Sequence, residues 1–283
     1  MFDSIIIGTG AAGISAALTL KQLNKNFLWI GPKNLSFKIN SAEKIRNYPG
    51  LSSVSGKEMR DAFLKQINEM NIDILDKQVT GVYDMSSHYA VLCGDESFES
   101  KTIILAVGVE SVKPISGEIE LLGQGVSYCA TCDGFLYKNK DIAVVSTSKE
   151  FEGEVKYLAS LANKVTFIPI YKDYDINLDN VEILKGMPKN ISKENKKIYL
   201  DINNDKLEVD GVFMLKSSIS PDILVPGLLS KDGHIVVDRL CNTNLSGVFA
   251  AGDCTGRPYQ YAKAVGEGNI CAHSVNHYLD INK

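Results

Sequence analysis

Near the start of the chain, the apolar run Ser4-Ile5-Ile6-Ile7 leads straight into Gly8-Thr9-Gly10-Ala11-Ala12-Gly13, and a helical pattern continues to about Leu23. A short, continuous apolar run is what a parallel strand buried on both faces requires. Glycines spaced Gly-x-Gly-x-x-Gly behind such a strand permit a tight turn, close approach of a pyrophosphate, and packing of the helix on the strand. The helix N-terminus then presents backbone N–H groups and a positive dipole to phosphate. Phe27-Leu28-Trp29-Ile30 reads as the second parallel strand and completes a βαβ unit. Its end, Trp29-Ile30-Gly31, lacks the acid that usually receives ribose hydroxyls. The glycine pattern alone is a weak signal; its strand–turn–helix setting makes it a strong one.

A second βαβ signal opens at Ile142-Ala143-Val144-Val145, with a helix expected over roughly 150–162 and a strand over Lys164–Ile168. Between the two units, Met59, Phe63, Ile67 and Met70 mark a helix over 57–70, and strands are expected at Val79–Tyr83, Tyr89–Cys93 and Thr102–Ala106. Short strands follow near 181–184, 197–201, 206–209 and Val212–Leu215, while the Asn- and Lys-rich chain between 171 and 206 reads mostly as surface turns. Gly247-Val248-Phe249-Ala250-Ala251-Gly252-Asp253 is a buried strand that ends by delivering a carboxylate to the C-terminal edge of a sheet, where doubly wound folds bind ligands. Such an Asp can accept hydrogen bonds from a polyol such as the ribitol of FAD; the plainer alternative is an N-cap for the helix expected from Gln260 to Tyr278. The pattern is α/β, and 283 residues suggest about two domains.

The 45% hydrophobic and 23% charged composition is that of a soluble globular protein, and no apolar run is long enough to span a membrane. A net charge of −4 gives no footprint for nucleic acid. The first residues carry no basic, apolar leader pattern, so a cytoplasmic protein with reduced thiols is expected. Charge is uneven: residues 21–60 hold eight Lys/Arg against two acids, a candidate for steering an acidic partner.

Cys129-Ala130-Thr131-Cys132 is followed by Asp133-Gly134. Two thiols with two residues between them, at a helix start, can close a redox-active disulfide. Asp133 stands where it can move a proton as the dithiol forms. Half of a zinc site is the competing reading, but Cys93, Cys241, Cys254 and Cys271 provide no second pair at suitable spacing, so no metal is expected. Cys93 and Cys241 read as buried apolar residues, and His273 and His277 as exposed helical ones.

Taken in order, "IRNYPG" (45–50), "AVG" (106–108), "CATCDG" (129–134), "GVFAAGDC" (247–254) and "YQYAKAVGEG" (259–268) resemble the low-molecular-weight thioredoxin reductase family over nearly the whole chain. The resemblance implies a two-domain flavoprotein disulfide reductase fold: a Rossmann-like FAD domain, 1–113 and 217–283, interrupted by a smaller insert, 114–216, that carries the cysteines. It implies FAD held by Gly8, Gly10, Ala11, Gly13, Gly252 and Asp253, with Asn47, Val79, Ala106, Gln260 and Tyr261 close to it. Cys132 would face the flavin, Cys129 would attack a protein disulfide, Asp133 would be the acid–base group, and the chain would form a homodimer.

The insert departs from the family. Where a glycine-rich loop for NADPH is expected, the chain reads Ser146-Thr147-Ser148-Lys149-Glu150-Phe151, with Glu150 and Glu152 at the helix start. The next strand ends Ile168-Pro169-Ile170-Tyr171 without arginine, and Met214-Leu215-Lys216-Ser217 stands in place of an Ala-Ile-Gly turn. In this respect the chain resembles the ferredoxin-dependent flavin thioredoxin reductases, which take no electrons from pyridine nucleotides. The expected activity is reduction of thioredoxin by ferredoxin through FAD and the Cys129–Cys132 disulfide. Three rivals remain: an oxygen-using dithiol oxidase, an NADPH-dependent reductase with an aberrant loop, and a flavin-bearing scaffold whose CxxC is incidental.

Overall fold

In the computed structural model, which describes residues 1–40, 42–109, 114–195, 197–203, 205–216 and 221–282, the N-terminal apolar run forms β1 (Phe2–Ile7), buried from Ser4 onward. The Cys132 side chain lies outside the described residues. Helix α1 (Ala11–Gln22) follows, with every residue from Ala11 to Ala17 buried. Its small side chains let other elements approach on nearly all sides. β2 (Phe27–Ile30), a short α2 (Phe37–Asn40), α3 (Gly56–Glu69), β3 (Gly81–Asp84), β4 (Tyr89–Cys93) and β5 (Glu96–Leu105) come next. Helix α3 starts with a capping box, in which Ser55 Oγ accepts the Glu58 N–H while the Glu58 carboxylate accepts the Ser55 N–H.

The chain then supplies β6 (Val126–Ser127), α4 (Ala130–Asp133), β7 (Asp141–Ser146), α5 (Glu152–Leu161), β8 (Lys164–Pro169) and β9 (Val181–Ile183). β10 (Pro188–Glu194), β11 (Lys197–Ile202), β12 (Asp205–Val209) and β13 (Gly211–Leu215) complete this stretch. It closes with α6 (Pro221–Leu224), a small hairpin of β14 (Ser230–Lys231) and β15 (His234–Ile235), β16 (Val248–Ala250), and α7 (Tyr261–Ile281).

These elements sort into two compact units. Met1–Val109 and Ser220–Lys283 make the first, and Glu110–Ile219 make the second. The boundaries expected at 113 and 217 fall on residues outside those described. In the first unit, β5 is the pivot of a six-stranded sheet ordered β2-β1-β5-β4-β3, and β16 pairs with the carboxyl half of β5. β1, β2 and β16 run parallel to β5, whereas β3 and β4 form an antiparallel extension. Helices α1 and α7 pack closely: a Cβ on Gly268 would lie 2.1 Å from the Ala12 carbonyl oxygen. In the second unit, a parallel sheet ordered β6-β13-β7-β8-β9 accompanies an antiparallel β10-β11-β12 sheet. No helix among the described residues is long and apolar enough to cross a membrane.

Three local expectations change. The strand expected at Val79–Tyr83 begins at Gly81, after a buried Val79. The second helix starts at Glu152, behind a 3-10 turn over Lys149–Phe151. The Asn- and Lys-rich chain hides β10, whose Ile191 is buried while its polar neighbours face out, as one strand of a hairpin allows.

Candidate active site

In the first unit, the turn from β1 to α1 is shaped by contacts that leave no room for side chains. Gly8 has φ +108°, and a Cβ there would meet the Ala106 carbonyl oxygen at 2.3 Å; one on Gly13 would meet the Gly8 carbonyl oxygen at 2.0 Å. Trp29 Nε1 donates to that same Gly8 oxygen at 2.9 Å, so the end of β2 buttresses the turn rather than presenting an acid. Gly10, the N-cap of α1, supplies no side-chain cap, and the first turn holds no acid. A Cβ on Gly10 would meet nothing within 4 Å. The Thr9 hydroxyl, in the same turn, is buried without a hydrogen-bond partner. Open space, uncapped helix N–H groups and no acid in the first turn of the helix are the conditions a pyrophosphate needs.

Gly252 and Asp253 reach this turn from β16. Gly252 has φ +91°, and a Cβ there would lie 3.0 Å from the Ala12 side chain. Asp253 begins a 3-10 turn, Asp253–Thr255, and is not the N-cap of α7, a position held by Gln260. Burial pushes the Asp253 carboxyl up, against the pull of Lys263 and Lys38. Glu267 fixes the approach by accepting the Gly252 N–H at 2.8 Å and the Thr255 hydroxyl at 2.9 Å. Asn47 Nδ2 donates to Gln260 Oε1 at 2.5 Å, and the Tyr261 hydroxyl donates to the Lys38 carbonyl at 3.2 Å. Gly8, Gly10, Ala11, Gly13, Ala106, Gly252 and Asp253 thus gather at one edge of the sheet, and Asn47, Gln260 and Tyr261 form a second linked set. Val79 contributes buried apolar surface and no hydrogen bond to either set.

In the second unit, Cys129 is disulfide-bonded, whereas Cys93, Cys241, Cys254 and Cys271 are free and buried. Burial pushes the Cys93 thiol up to about 11 and the Cys254 thiol up to about 12, so both stay protonated and inert at neutral pH. The Cys129 turn is organised by Ser127, a residue that sequence reasoning missed. Its hydroxyl donates to the Asp133 carboxylate at 2.7 Å and also accepts the Cys129 N–H at 3.1 Å. The only signal in the sequence is a serine two residues ahead of the first cysteine. The Ala130 N–H is bonded to the Glu154 carboxylate of α5, whose pKa burial nevertheless raises.

The loop from β7 to α5 is closed. Ser146 Oγ donates to the Ser148 carbonyl at 2.9 Å, and Ser148 Oγ caps the 3-10 turn by accepting the Glu150 N–H. Glu152 and Glu154 occupy the first turn of α5, with the Glu152 carboxylate taking the Tyr171 hydroxyl and the Asp175 N–H, each at 2.9 Å. At the carboxyl end of β13, Lys216 is buried and ion-paired with the fully buried Glu118 at 2.5 Å. Glu118 also accepts the Tyr128 hydroxyl at 2.7 Å.

This pair of units, one with an open glycine turn and one with a CxxC turn, can be compared with known proteins. The profile of the pyridine nucleotide-disulphide oxidoreductases matches residues 2–149 and 170–268. The chain belongs to that family. Within it, the chain is similar to the thioredoxin reductases of Helicobacter pylori, 32% identical over 99% of each chain, and of Bacillus subtilis, 30% identical over 99% of this chain and 95% of the other. Among solved structures, it is similar to a ferredoxin-flavin thioredoxin reductase from Clostridium acetobutylicum, 45% identical with a TM-score of 0.96, covering 99% of this chain and 98% of that one. A thioredoxin reductase from Gloeobacter violaceus is 28% identical with a TM-score of 0.83, covering 100% and 95%. The chain is therefore a flavoprotein of the thioredoxin reductase type, acting on disulfides with FAD as cofactor. The open turn at Gly10, the uncapped start of α1 and the orphaned Thr9 hydroxyl fit that cofactor.

Proposed function

We propose that this protein reduces thioredoxin with electrons from reduced ferredoxin, by way of FAD and a Cys129–Cys132 disulfide, and that it uses no pyridine nucleotide. The observation that carries this reading is the closed start of α5. A bound nicotinamide nucleotide needs a glycine turn and a helix start free of negative charge there, yet a serine-capped 3-10 turn takes the place of the glycines and Glu150, Glu152 and Glu154 crowd the start of α5 with acids. The likeness to the ferredoxin-flavin enzyme of Clostridium acetobutylicum supports the same conclusion.

In this reading the first unit is the FAD domain. Gly8, Gly10, Ala11 and Gly13 hold the pyrophosphate and Gly252 and Asp253 the ribitol, while Asn47, Val79, Ala106, Gln260 and Tyr261 line the rest. Bound FAD supplies the one chemical property the side chains lack, accepting electrons singly and passing them on as a pair. The disulfide takes two electrons and two protons to become two thiols. Asp133, held by Ser127, hands over a proton at this step. The Cys129 thiolate then attacks the thioredoxin disulfide, and Cys132 displaces the product from the resulting mixed disulfide. Ferredoxins of the plant type lie at about −400 mV and thioredoxin at about −270 mV, so the drop for two electrons is about 6 kcal/mol. The working form in this reading is a cytoplasmic homodimer, which sedimentation of the holoenzyme tests.

Anaerobic incubation with NADPH, NADH or chemically reduced ferredoxin, followed by flavin bleaching and thioredoxin reduction, decides the matter. Bleaching by ferredoxin alone is the expected result. Rapid bleaching by NADPH would sink the proposal, as would oxygen consumption with a small dithiol in the absence of ferredoxin activity, which marks an oxidase. Cys132→Ser should abolish turnover.

A further inference from the structure

The basic residues between 21 and 60 divide into two groups once folded. Lys21 and Lys25 lie at the end of α1 and just before β2, at the amino edge of the parallel strands. Lys33, Lys44 and Arg46 follow β2, beyond the carboxyl edge, where the glycine turn also lies. Arg257 arrives at that edge from the opposite end of the chain, beyond β16.

Hydrogen bonds join these segments on the first unit. The Ser36 N–H donates to the Thr9 carbonyl at 3.1 Å, Asn47 reaches Gln260, and Tyr261 reaches the Lys38 carbonyl. Residues 32–48 and 256–261 together carry five cations and one acid, Glu43, in a chain whose net charge is −4. Lys33, Lys44, Arg46 and Arg257 are all exposed. Among the described residues, Lys33, Lys44 and Arg46 pair with no carboxylate. Some other cations of this unit are matched, as in Arg60–Asp61, Lys65–Glu69 and Lys101–Asp3, whereas Lys21 and Lys25 at the opposite edge also pair with no carboxylate among the described residues. Two large aromatic side chains also face solvent here: Phe37 is 51% exposed and Tyr259 39%. Arg257 lies over the Tyr259 ring, 5.3 Å from its centre.

Unpaired cations around exposed aromatics, on an acidic protein, form a docking face for an acidic macromolecule. We propose that this face, with Lys33, Lys44, Arg46 and Arg257 as its charged rim, is where the ferredoxin docks; the inference rests on the reading given under Proposed function. The face borders the turn that fits the cofactor's pyrophosphate and the Asn47–Gln260 pair beside it. Docking there brings a small acidic iron–sulfur protein to the FAD-holding edge of the unit. Each docked ferredoxin is oxidised by one electron and leaves. Two such visits, with two protons from solvent, supply the electron pair that turns one disulfide into two thiols.

The test is anaerobic stopped-flow bleaching of the holoenzyme flavin by chemically reduced ferredoxin, comparing the wild type, the triple variant K33E/K44E/R46E, and K21E/K25E. Reversing the rim charges should lower the second-order rate at least about tenfold at low salt, with the gap narrowing at high salt as charges are screened. K21E/K25E should stay close to the wild type. Bleaching by dithionite, FAD content, and reduction of thioredoxin by the pre-reduced enzyme should not change in any variant. A triple variant within twofold of the wild type overturns the proposal, as does an equal loss in K21E/K25E, which would mean that net charge alone matters. Loss confined to the thioredoxin half-reaction would assign the face to thioredoxin instead. If the wild type itself takes no electrons from ferredoxin, the functional reading fails before the variants are compared; if it does and the variants match it, only the docking face fails.

Discussion

The two units each contain a parallel strand, a turn and a helix, β1–α1 and β7–α5, and the two turns have opposite chemistry. The first is bare: Gly10 caps nothing, no acid enters the first turn, and a side chain at Gly10 would project into open space. The second is filled from within, by a serine cap, a 3-10 turn and a row of glutamates. The same contrast holds at the carboxyl ends of β16 and β13. β16 delivers Asp253 to the open turn, whereas β13 delivers Lys216 to a buried ion pair with Glu118. One strand–turn–helix frame therefore serves as a ligand cradle or as a self-satisfied structural element, depending on which groups meet the helix N–H donors. Helix dipoles invite anions only while those donors are free and no carboxylate has arrived first.

The largest effect belongs to Gly13→Val, which places side-chain atoms within 2.0 Å of the Gly8 oxygen and should yield no FAD-loaded protein, read as flavin absorbance per polypeptide. In the second unit the corresponding vulnerability is the ion pair. Lys216→Met leaves the buried Glu118 charge uncompensated and should cost about 3–5 kcal/mol in urea denaturation. Adding Glu118→Gln should recover a large part of that loss, and a single-variant cost under ~1 kcal/mol would refute the account.

Smaller effects sharpen the contrast. Gly10→Ala meets no protein atom, so the apoprotein melting point should hold while FAD affinity falls by about tenfold, the equivalent of ~1.4 kcal/mol. A fall in apoprotein stability instead would show that the space is not the ligand's. Ser127→Ala removes the link between Asp133 and the Cys129 backbone and should slow thioredoxin reduction about tenfold at unchanged FAD content. The smallest effect concerns Glu150 and Glu154, whose pKa values burial raises. The folded state then holds protons that the unfolded chain has released, so stability falls as pH rises from the ordinary carboxyl range into the raised one. Denaturation midpoints of E150Q/E154Q should depend less on pH across that window than those of the wild type.

Much of this contrast could be read from residue order. Glycine spacing, the CxxC motif and the Gly252-Asp253 terminus are local patterns whose chemistry depends on near neighbours, so they survive without coordinates. What stayed hidden depends on distance along the chain or on partners of ordinary type. Ser127 looks like any serine until its hydroxyl is found between Asp133 and Cys129. Lys216 and Glu118 are nearly a hundred positions apart, and nothing in either residue marks it as buried. The basic stretch gave composition without direction; only the fold sends Lys25 and Lys33 to opposite edges of one sheet. β10 escaped because an outward-facing hairpin strand can be built from lysines and asparagines.

The close approach of Gly268 to Ala12 also has a consequence for synthesis. Residues 110–219 are contiguous and can fold as soon as they leave the ribosome. The first unit needs β16 against β5 and α7 against α1, and both are made after the second unit. The glycine turn, made before the second unit, therefore waits exposed and unfinished until α7 is delivered. A stalled or clipped chain lacking α7 would carry an intact cysteine unit and yet be colourless.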